Sequence, residues 1–208
     1  MNKKEEGKLI VFEGVENSGK STQIEYFAER LRKIGINFIL TKEPRGEIRE
    51  KLKYGNPTPD EELGLFLEDR ESHFRELVIP SLKEGIWVLV DRCSPSTIAY
   101  QCYGRGFDLE YVKQRDRVAR KDKDFDLVIL LDMNPAESMK RAEKGDRFEK
   151  EKIDFHQRVR QGYLEQARLD SARQANESPS KWLVIDAKKK KGEIAEIIWK
   201  EIKNKFRV

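Results

Sequence analysis

Short, dense apolar runs alternate along the chain with longer stretches whose apolar positions recur at helical spacing. The runs are Leu9-Ile10-Val11-Phe12, Asn37-Phe38-Ile39-Leu40, Trp87-Val88-Leu89-Val90, Leu127-Val128-Ile129-Leu130-Leu131 and Trp182-Leu183-Val184-Ile185. Each is too short for a stable helix, rich in branched or large apolar types, and free of strict polar alternation. That pattern predicts strands covered on both faces. The segments 20–34, 61–84, 109–120, 135–142, 150–171 and 193–206 between and after them are compatible with helices. Strand and helix in alternation predict an α/β fold: a five-stranded parallel sheet flanked by helices, in one domain spanning 1–208. Pro80 predicts a fresh turn inside the second long segment, because its missing N–H is harmless only near a helix start. The lysine run 188–191 predicts a loop, since positive charge opposes the dipole at the start of the last helix.

Charge narrows the class. The 208 residues carry 42 Lys+Arg against 38 Asp+Glu, a net charge of +4. Signs that nearly cancel argue against a broad polyanion-binding surface, so no nucleic-acid partner is expected. Cys93 and Cys102, with His73 and His156 as the only imidazoles, fit no common zinc spacing and form no disulfide framework. The N-terminal apolar run of four is too short for a signal peptide, and no run approaches the roughly 18 residues that span a bilayer. These features lead to the expectation of a cytoplasmic protein with no membrane partner.

The chemistry begins directly after the first predicted strand. Gly14-Val15-Glu16-Asn17-Ser18-Gly19-Lys20-Ser21, followed by Thr22, fits G-x-x-x-x-G-K-[ST] between a strand and a helix. Glycines let successive N–H groups turn inward around phosphate oxygens, and the following helix aims its positive end at the same point. Lys20 reaches the terminal phosphates of a nucleotide such as ATP, and the Ser21 hydroxyl suits magnesium. The guanine-reading N-K-x-D and a D-x-x-G are both absent, which argues against a GTPase switch. The third strand runs into Asp91-Arg92. An acidic residue there can hold Mg2+ through water, and the arginine can bridge two phosphate groups.

Further motifs follow in order: Glu43-Pro44, then Leu65-Phe66-Leu67-Glu68-Asp69-Arg70, then Ser96-Thr97-Ile98-Ala99-Tyr100-Gln101 after Asp91-Arg92. Asp146-Arg147-Phe148-Glu149 and Arg160-Gln161-Gly162-Tyr163-Leu164-Glu165 complete the set. Together with the phosphate loop they resemble the thymidylate kinase family over essentially the whole chain. The resemblance implies a P-loop nucleoside monophosphate kinase-like fold with a short lid at about 141–150, and a homodimer. It implies ATP-dependent transfer of a phosphoryl group to dTMP, giving dTDP, with Mg2+ held at Ser21 and Asp91.

On these residues the resemblance implies that Phe66 stacks on thymine and that Arg70 donates to its O4. Thr97 and Gln101 complete the base edge, Ser96 and Glu43 border the acceptor, and Tyr100 lies beside the sugar. Arg92 holds the acceptor phosphate together with Arg45 or Arg49, between which the shortened Glu43–Arg49 segment does not decide. Asn17 stands where one group of the family carries an arginine, so the catalytic cation is expected from the lid: Arg147 in the first place, with Arg141 and Lys144 as further candidates and Gly145 as a flexible point. Arg141 is also a candidate for packing on adenine. Cys93 replaces an aromatic residue common in the family, which leaves a related kinase of shifted acceptor, such as dUMP, as the alternative. A nucleotide-binding protein without transfer activity is the more distant one.

Overall fold

The computed structural model describes residues 5–141, 148, 151–174 and 180–208. Its centre is a wholly parallel sheet of five strands in the order β2-β3-β1-β4-β5. The strands are β1 (Leu9–Glu13), β2 (Phe38–Lys42), β3 (Trp87–Asp91), β4 (Leu127–Asp132) and β5 (Trp182–Asp186). Each predicted run is therefore a strand, and each strand continues to a polar or charged last residue.

The central strand β1 is buried along its whole length. Its side chains alternate between two cores, as a pleated strand must. Ile10 and Phe12 pack with Ile24, Phe27 and Leu31 of helix α1 (Lys20–Lys33) and with Ile194, Ile198 and Ile202 of α9 (Lys191–Phe206). Leu9 and Val11 face the other way, onto Phe74, Val78 and Leu82. Burying each such side chain contributes about 1.5–3 kcal/mol, so the two cores hold the sheet between helical layers.

Helix α2 (Gly46–Tyr54), which the apolar pattern did not announce, follows β2. Helix α3 (Pro59–His73) starts two residues before its predicted boundary. Thr58 and Glu61 form a reciprocal cap there, with the Thr58 N–H donating to Glu61 Oε2 at 2.8 Å and Pro59 in the first turn. The chain then widens into a π-type turn at Phe74–Val78 and continues as α4 (Ile79–Lys83), with Pro80 in its first turn. Pro80 thus sits where its missing donor is tolerated, without ending the helical run.

A second wide turn, Ile98–Gly104, follows the short helix α5 (Ser94–Thr97). Helix α6 (Leu109–Ala119) precedes β4, α7 (Pro135–Met139) follows it, and α8 (Ile153–Gln174) leads to β5. α8 presses closely on the second wide turn: a Cβ at Gly104 would lie 2.6 Å from the Phe155 ring. The lysine run behaves as expected up to Lys190, which is the N-cap of α9. Lys188 pairs with Glu137 and Lys189 with Glu193.

The first crossover leaves β1 toward β2, and later ones build β4 and β5 on the opposite side. The strand order therefore reverses beside β1. A crevice opens at the carboxyl ends of the strands at such a switch point. Here it lies between the ends of β1 and β3, in register at Phe12 and Asp91.

Candidate functional site

The turn from β1 into α1 has a conformation that other residues could not share. Gly14 adopts φ +142°, and a Cβ there would lie 2.6 Å from the carbonyl oxygen of Leu131. Gly19, at φ +95°, caps α1 without a side-chain bond, and the first turn of the helix carries no acidic residue. The N–H groups of a helix start are thus left for an anion. Lys20 folds back over the loop, its Nζ donating to the carbonyls of Gly14 (3.1 Å) and Val15 (2.9 Å). Burial, then the nearby Arg92 guanidinium, pushes the Lys20 ammonium down to about 8.

Across the crevice, Asp91 ends β3 with a buried Oδ1 that has no hydrogen-bond partner. Such an atom fits the water shell of a divalent cation, with the exposed Ser21 hydroxyl nearby on the loop side. Arg92 is held at φ +67°, a costly setting for a side-chain-bearing residue. Its guanidinium donates to Glu16 (3.1 Å), Ser96 Oγ (3.2 Å) and Tyr163 Oη (3.1 Å), and lies 5.6 Å from the Tyr100 ring centre. Burial pushes the Glu16 carboxyl up, but Arg92, Lys20 and the Tyr100 hydroxyl outweigh it and hold it below the ordinary carboxylate value.

Behind this set lies Glu13, fully buried. Its carboxylate accepts from the Cys93 N–H (2.8 Å), Ser96 Oγ (2.6 Å) and Tyr163 Oη (3.1 Å). Burial raises its carboxyl, against Arg92. Glu13 therefore joins the start of the phosphate loop to the segment after Asp91-Arg92.

The cleft beyond the loop has a volume of about 520 Å³. The loop side supplies Glu16, Asn17, Lys20 and Ser21, and the end of β2 supplies Lys42, Glu43 and Pro44. Arg49, Leu52 and Lys53 come from α2, and Phe66 and Arg70 from α3. Asp91, Arg92, Cys93, Ser96, Thr97 and Tyr100 close it from the β3 side. Phe148 completes the wall, 6.3 Å from the Phe66 ring and 6.0 Å from that of Tyr100. The cleft wall thus combines the cations Lys20, Lys42, Arg49, Lys53, Arg70 and Arg92 with the rings of Phe66, Tyr100 and Phe148.

Arg70 is almost wholly buried at the floor. It donates to Glu43 through Nε (3.0 Å) and Nη2 (2.7 Å), to Asp116 through Nη1 (2.7 Å) and to Thr97 through Nη2 (3.0 Å). These bonds use four of its five N–H groups and leave one on Nη1 for a ligand. His73 Nδ1 donates to the other oxygen of Glu43 at 2.8 Å. Burial raises the Glu43 carboxyl, yet Arg70 and His73 bring it below the usual range. Cys93 lies 3.7 Å from the same oxygen, and burial with Glu43 alongside pushes its thiol well up, into the neutral form.

The structure separates the two arginines that the sequence left open. Arg45 is tied to Asp69 by its backbone N–H and by Nε (3.0 Å), and to Ser72 by Nη2 (2.6 Å), whereas Arg49 lines the cleft. Gln101 is fully buried behind the wall, its Nε2 donating to Glu62 at 2.7 Å. Gly14, Val15, Ser18, Gly19 and Thr22 form the loop and the first turn of α1 without lining the cleft, and Arg141 is exposed away from it. Lys144, Gly145 and Arg147 lie outside the described residues. Lys42, Lys53, Asp116 and Glu13 were not singled out from the sequence. Only Glu13 had a local signal, as a charged residue at the end of an apolar run.

Comparison with known proteins bears on this arrangement. A family model described as "Thymidylate kinase" matches residues 12–198. A thymidylate kinase of Carboxydothermus hydrogenoformans is 43% identical over 201 residues, covering 90% of this chain and 93% of that protein. One of Magnetococcus marinus is 38% identical over 213 residues, covering 97% and 98%. A third, of Pelotomaculum thermopropionicum, is 42% identical over 193 residues, covering 87% and 86%.

Proposed function

The chain belongs to the thymidylate kinase family, and from that premise we propose that it transfers the γ-phosphoryl group of ATP to dTMP, giving ADP and dTDP. The observation that carries this reading is the single cleft in which the phosphate loop and Lys20 face Arg49, Arg92 and an aromatic slot. One end suits a polyphosphate, the other a planar base. An oxygen of the dTMP phosphate forms the new bond to the γ-phosphorus as the bond to the β,γ-bridging oxygen breaks, and ADP leaves with that electron pair. The acceptor oxygen is already ionised at neutral pH, so no strong general base is required. Catalysis is alignment and neutralisation of charge, with Lys20 and Arg92 supplying cations from opposite sides. Arg147 or another lid cation supplies a further one.

Asp91 and Ser21 fit Mg2+, which when bound screens the charge between β- and γ-phosphates. Arg49, not Arg45, grips the acceptor phosphate. Phe66 stacks on thymine, the spare Nη1 proton of Arg70 meets O4, and Tyr100 with Glu16 borders the sugar. Among the described residues no helix is long and apolar enough to cross a membrane; the enzyme works in the cytoplasm with its nucleotides. It pairs as a homodimer. A groove between α3 and α6 beside Leu67, Tyr111 and Val118, the last 70% exposed, supports such pairing.

ADP release measured with dTMP, dUMP, dCMP, UMP and AMP tests the assignment. Turnover is expected to be fastest with dTMP. A missing methyl costs about 1–3 kcal/mol, so dUMP is expected as a slower substrate. A faster rate with dUMP moves the assignment to the shifted acceptor, and no ADP with any of the five removes it. Phe66→Ala tests the slot separately. Loss of base stacking is expected to raise KM for dTMP by roughly 10- to 100-fold, with KM for ATP nearly unchanged. An equal rise in both would mark Phe66 as a packing residue.

A further inference from the structure

Arg92 commits the two sides of its guanidinium unequally. Nη1 donates to Ser96 Oγ (3.2 Å) and to Tyr163 Oη (3.1 Å), which uses both of its protons. Nη2 donates to Glu16 Oε1 (3.1 Å). Among the described residues, the Nε proton and the second Nη2 proton meet no protein acceptor, so these are the donors left for phosphate oxygens. Nη1 is the held side, and what holds it is not local to the turn after β3.

Both hydroxyls that receive Nη1 also meet Glu13 Oε2, Ser96 Oγ at 2.6 Å and Tyr163 Oη at 3.1 Å, and they lie 2.7 Å from each other. Glu13 Oε1 accepts the backbone N–H groups of Cys93 (2.8 Å) and Ser96 (3.3 Å). Burial raises the Glu13 carboxyl, while Arg92, the Ser96 hydroxyl and the Cys93 N–H oppose that. A guanidinium only donates and a carboxylate only accepts. The hydroxyls between them therefore turn their lone pairs to Arg92 and their protons to Glu13 or to each other. In that orientation Nη1 finds two acceptors and no rival donor.

Tyr163 brings its oxygen from α8, the helix that follows the lid segment. It is buried, does not line the cleft, and packs its ring with Ala99, Leu130 and Val159. α8 is itself closely seated here. A Cβ at Gly162 would lie 2.7 Å from the Tyr103 ring, and Gln166 Nε2 donates to the Pro95 carbonyl at 3.1 Å. Tyr163 Oη thus cannot leave Arg92 without a shift of the helix.

We propose that Tyr163 and Glu13 are positioning residues that fix Nη1 of Arg92, so that Nε and Nη2 meet the phosphates already oriented. A donor held in place before the reaction needs no reorganisation as charge develops. The inference rests on the function proposed above. It adds that the catalytic guanidinium is set from α8 and from the end of β1 by two residues that do not line the cleft.

Tyr163→Phe is the direct test, because it keeps the ring and removes one oxygen. The variant should melt cooperatively. Its kcat with dTMP is expected to fall about tenfold, the worth of one hydrogen bond to a charged group, with KM for ATP within about twofold of the parent. The same change made in Arg92→Ala should alter the residual kcat by no more than about twofold, since the group it serves is gone. Glu13→Gln puts an amide N–H against a donor whichever way the amide turns, and is expected to lose at least as much as Tyr163→Phe, again only while Arg92 is present. An unchanged kcat in Tyr163→Phe overturns the proposal. So does a tenfold loss that persists in Arg92→Ala, or loss of cooperative melting, since either gives the hydroxyl a structural role. Inactivity of the unmodified enzyme toward dTMP would instead refute the function, which separates the two failures.

Discussion

Arg92→Ala is expected to cut kcat for transfer to dTMP by about 10³- to 10⁵-fold, the range for removing an arginine that neutralises a transferring phosphoryl group. The backbone supports a functional reading. Arg92 sits at φ +67°, where a glycine would be at ease and any other residue costs roughly 1–2 kcal/mol. The chain tolerates that cost at the C-terminal end of β3, where it turns the guanidinium toward Glu16 and over Tyr100. The Arg92 N–H bond to the Phe12 carbonyl (3.0 Å) survives the substitution, so the turn itself is kept, while the bonds to Glu16, Ser96 and Tyr163 are lost at some cost in melting temperature. The variant should therefore melt cooperatively, and Arg92→Gly, relieved of the strain, should melt no lower than Arg92→Ala. Steady-state ADP release and thermal melting together decide the matter. An alanine variant within tenfold of the parent would remove Arg92 from the catalytic set.

The strands were legible because a sheet buried on both faces needs uninterrupted apolar runs. The same runs stop one residue or more short of the observed ends. Those last residues are Glu13, Lys42, Asp91, Asp132 and Asp186, all charged: Lys42 and Asp91 line the cleft, Glu13 ties the loop from behind, and Asp132 and Asp186 bond to Arg160 and to the Lys188 N–H. Apolar pattern and site chemistry meet there, and the pattern loses. Helix α2 escaped for a related reason: of its side chains only Leu52 is buried, so no apolar stripe exists to read. In α3 the buried face mixes Leu63 and Leu67 with Glu62, Asp69, Arg70 and His73, so the apolar pattern marks the helix without showing which polar residues face inward. The wide turn at Ile98–Gly104 departs from the 3.6-residue period and was read as a motif rather than a helix.

The candidate site divides along the same line. Local features, such as a loop whose glycines must turn or an Asp-Arg pair closing a strand, are visible in a single sequence. Partnerships over long separations are not. Arg70 meets Asp116 from 46 residues away, and Glu13 meets Tyr163 from 150. Asp69 holds Arg45 by its backbone N–H and by Nε, yet in the sequence it is one more acidic residue beside Arg70. Charge patterning says that ions must pair; only the fold says which.

Lys20→Ala is expected to lower kcat by about 10²- to 10³-fold, as for loss of one preorganised donor at a developing charge, and to change the pH dependence of ATP binding in a defined direction. In the ligand-free protein the Lys20 ammonium is buried among loop carbonyls, which with Arg92 pulls its titration down to about 8 from an ordinary 10.5. A polyphosphate binds the ammonium form. Below pH 8 that form is already present, so Lys20 adds no pH dependence to the affinity. Above pH 8 the proton must be taken up on binding, and affinity should fall by up to about tenfold per pH unit. The stability of the free protein moves in the opposite sense: between about 8 and 10.5 the unfolded chain holds more protons at this group, so its contribution to stability rises with pH. Titration of ATP binding from pH 6.5 to 9.5 separates these effects, because only the parent enzyme should lose affinity through this group, and the alanine variant should give a weaker but flatter profile. If the two profiles run parallel, the ammonium of Lys20 is not what holds the phosphates, and the fall above pH 8 belongs to another group.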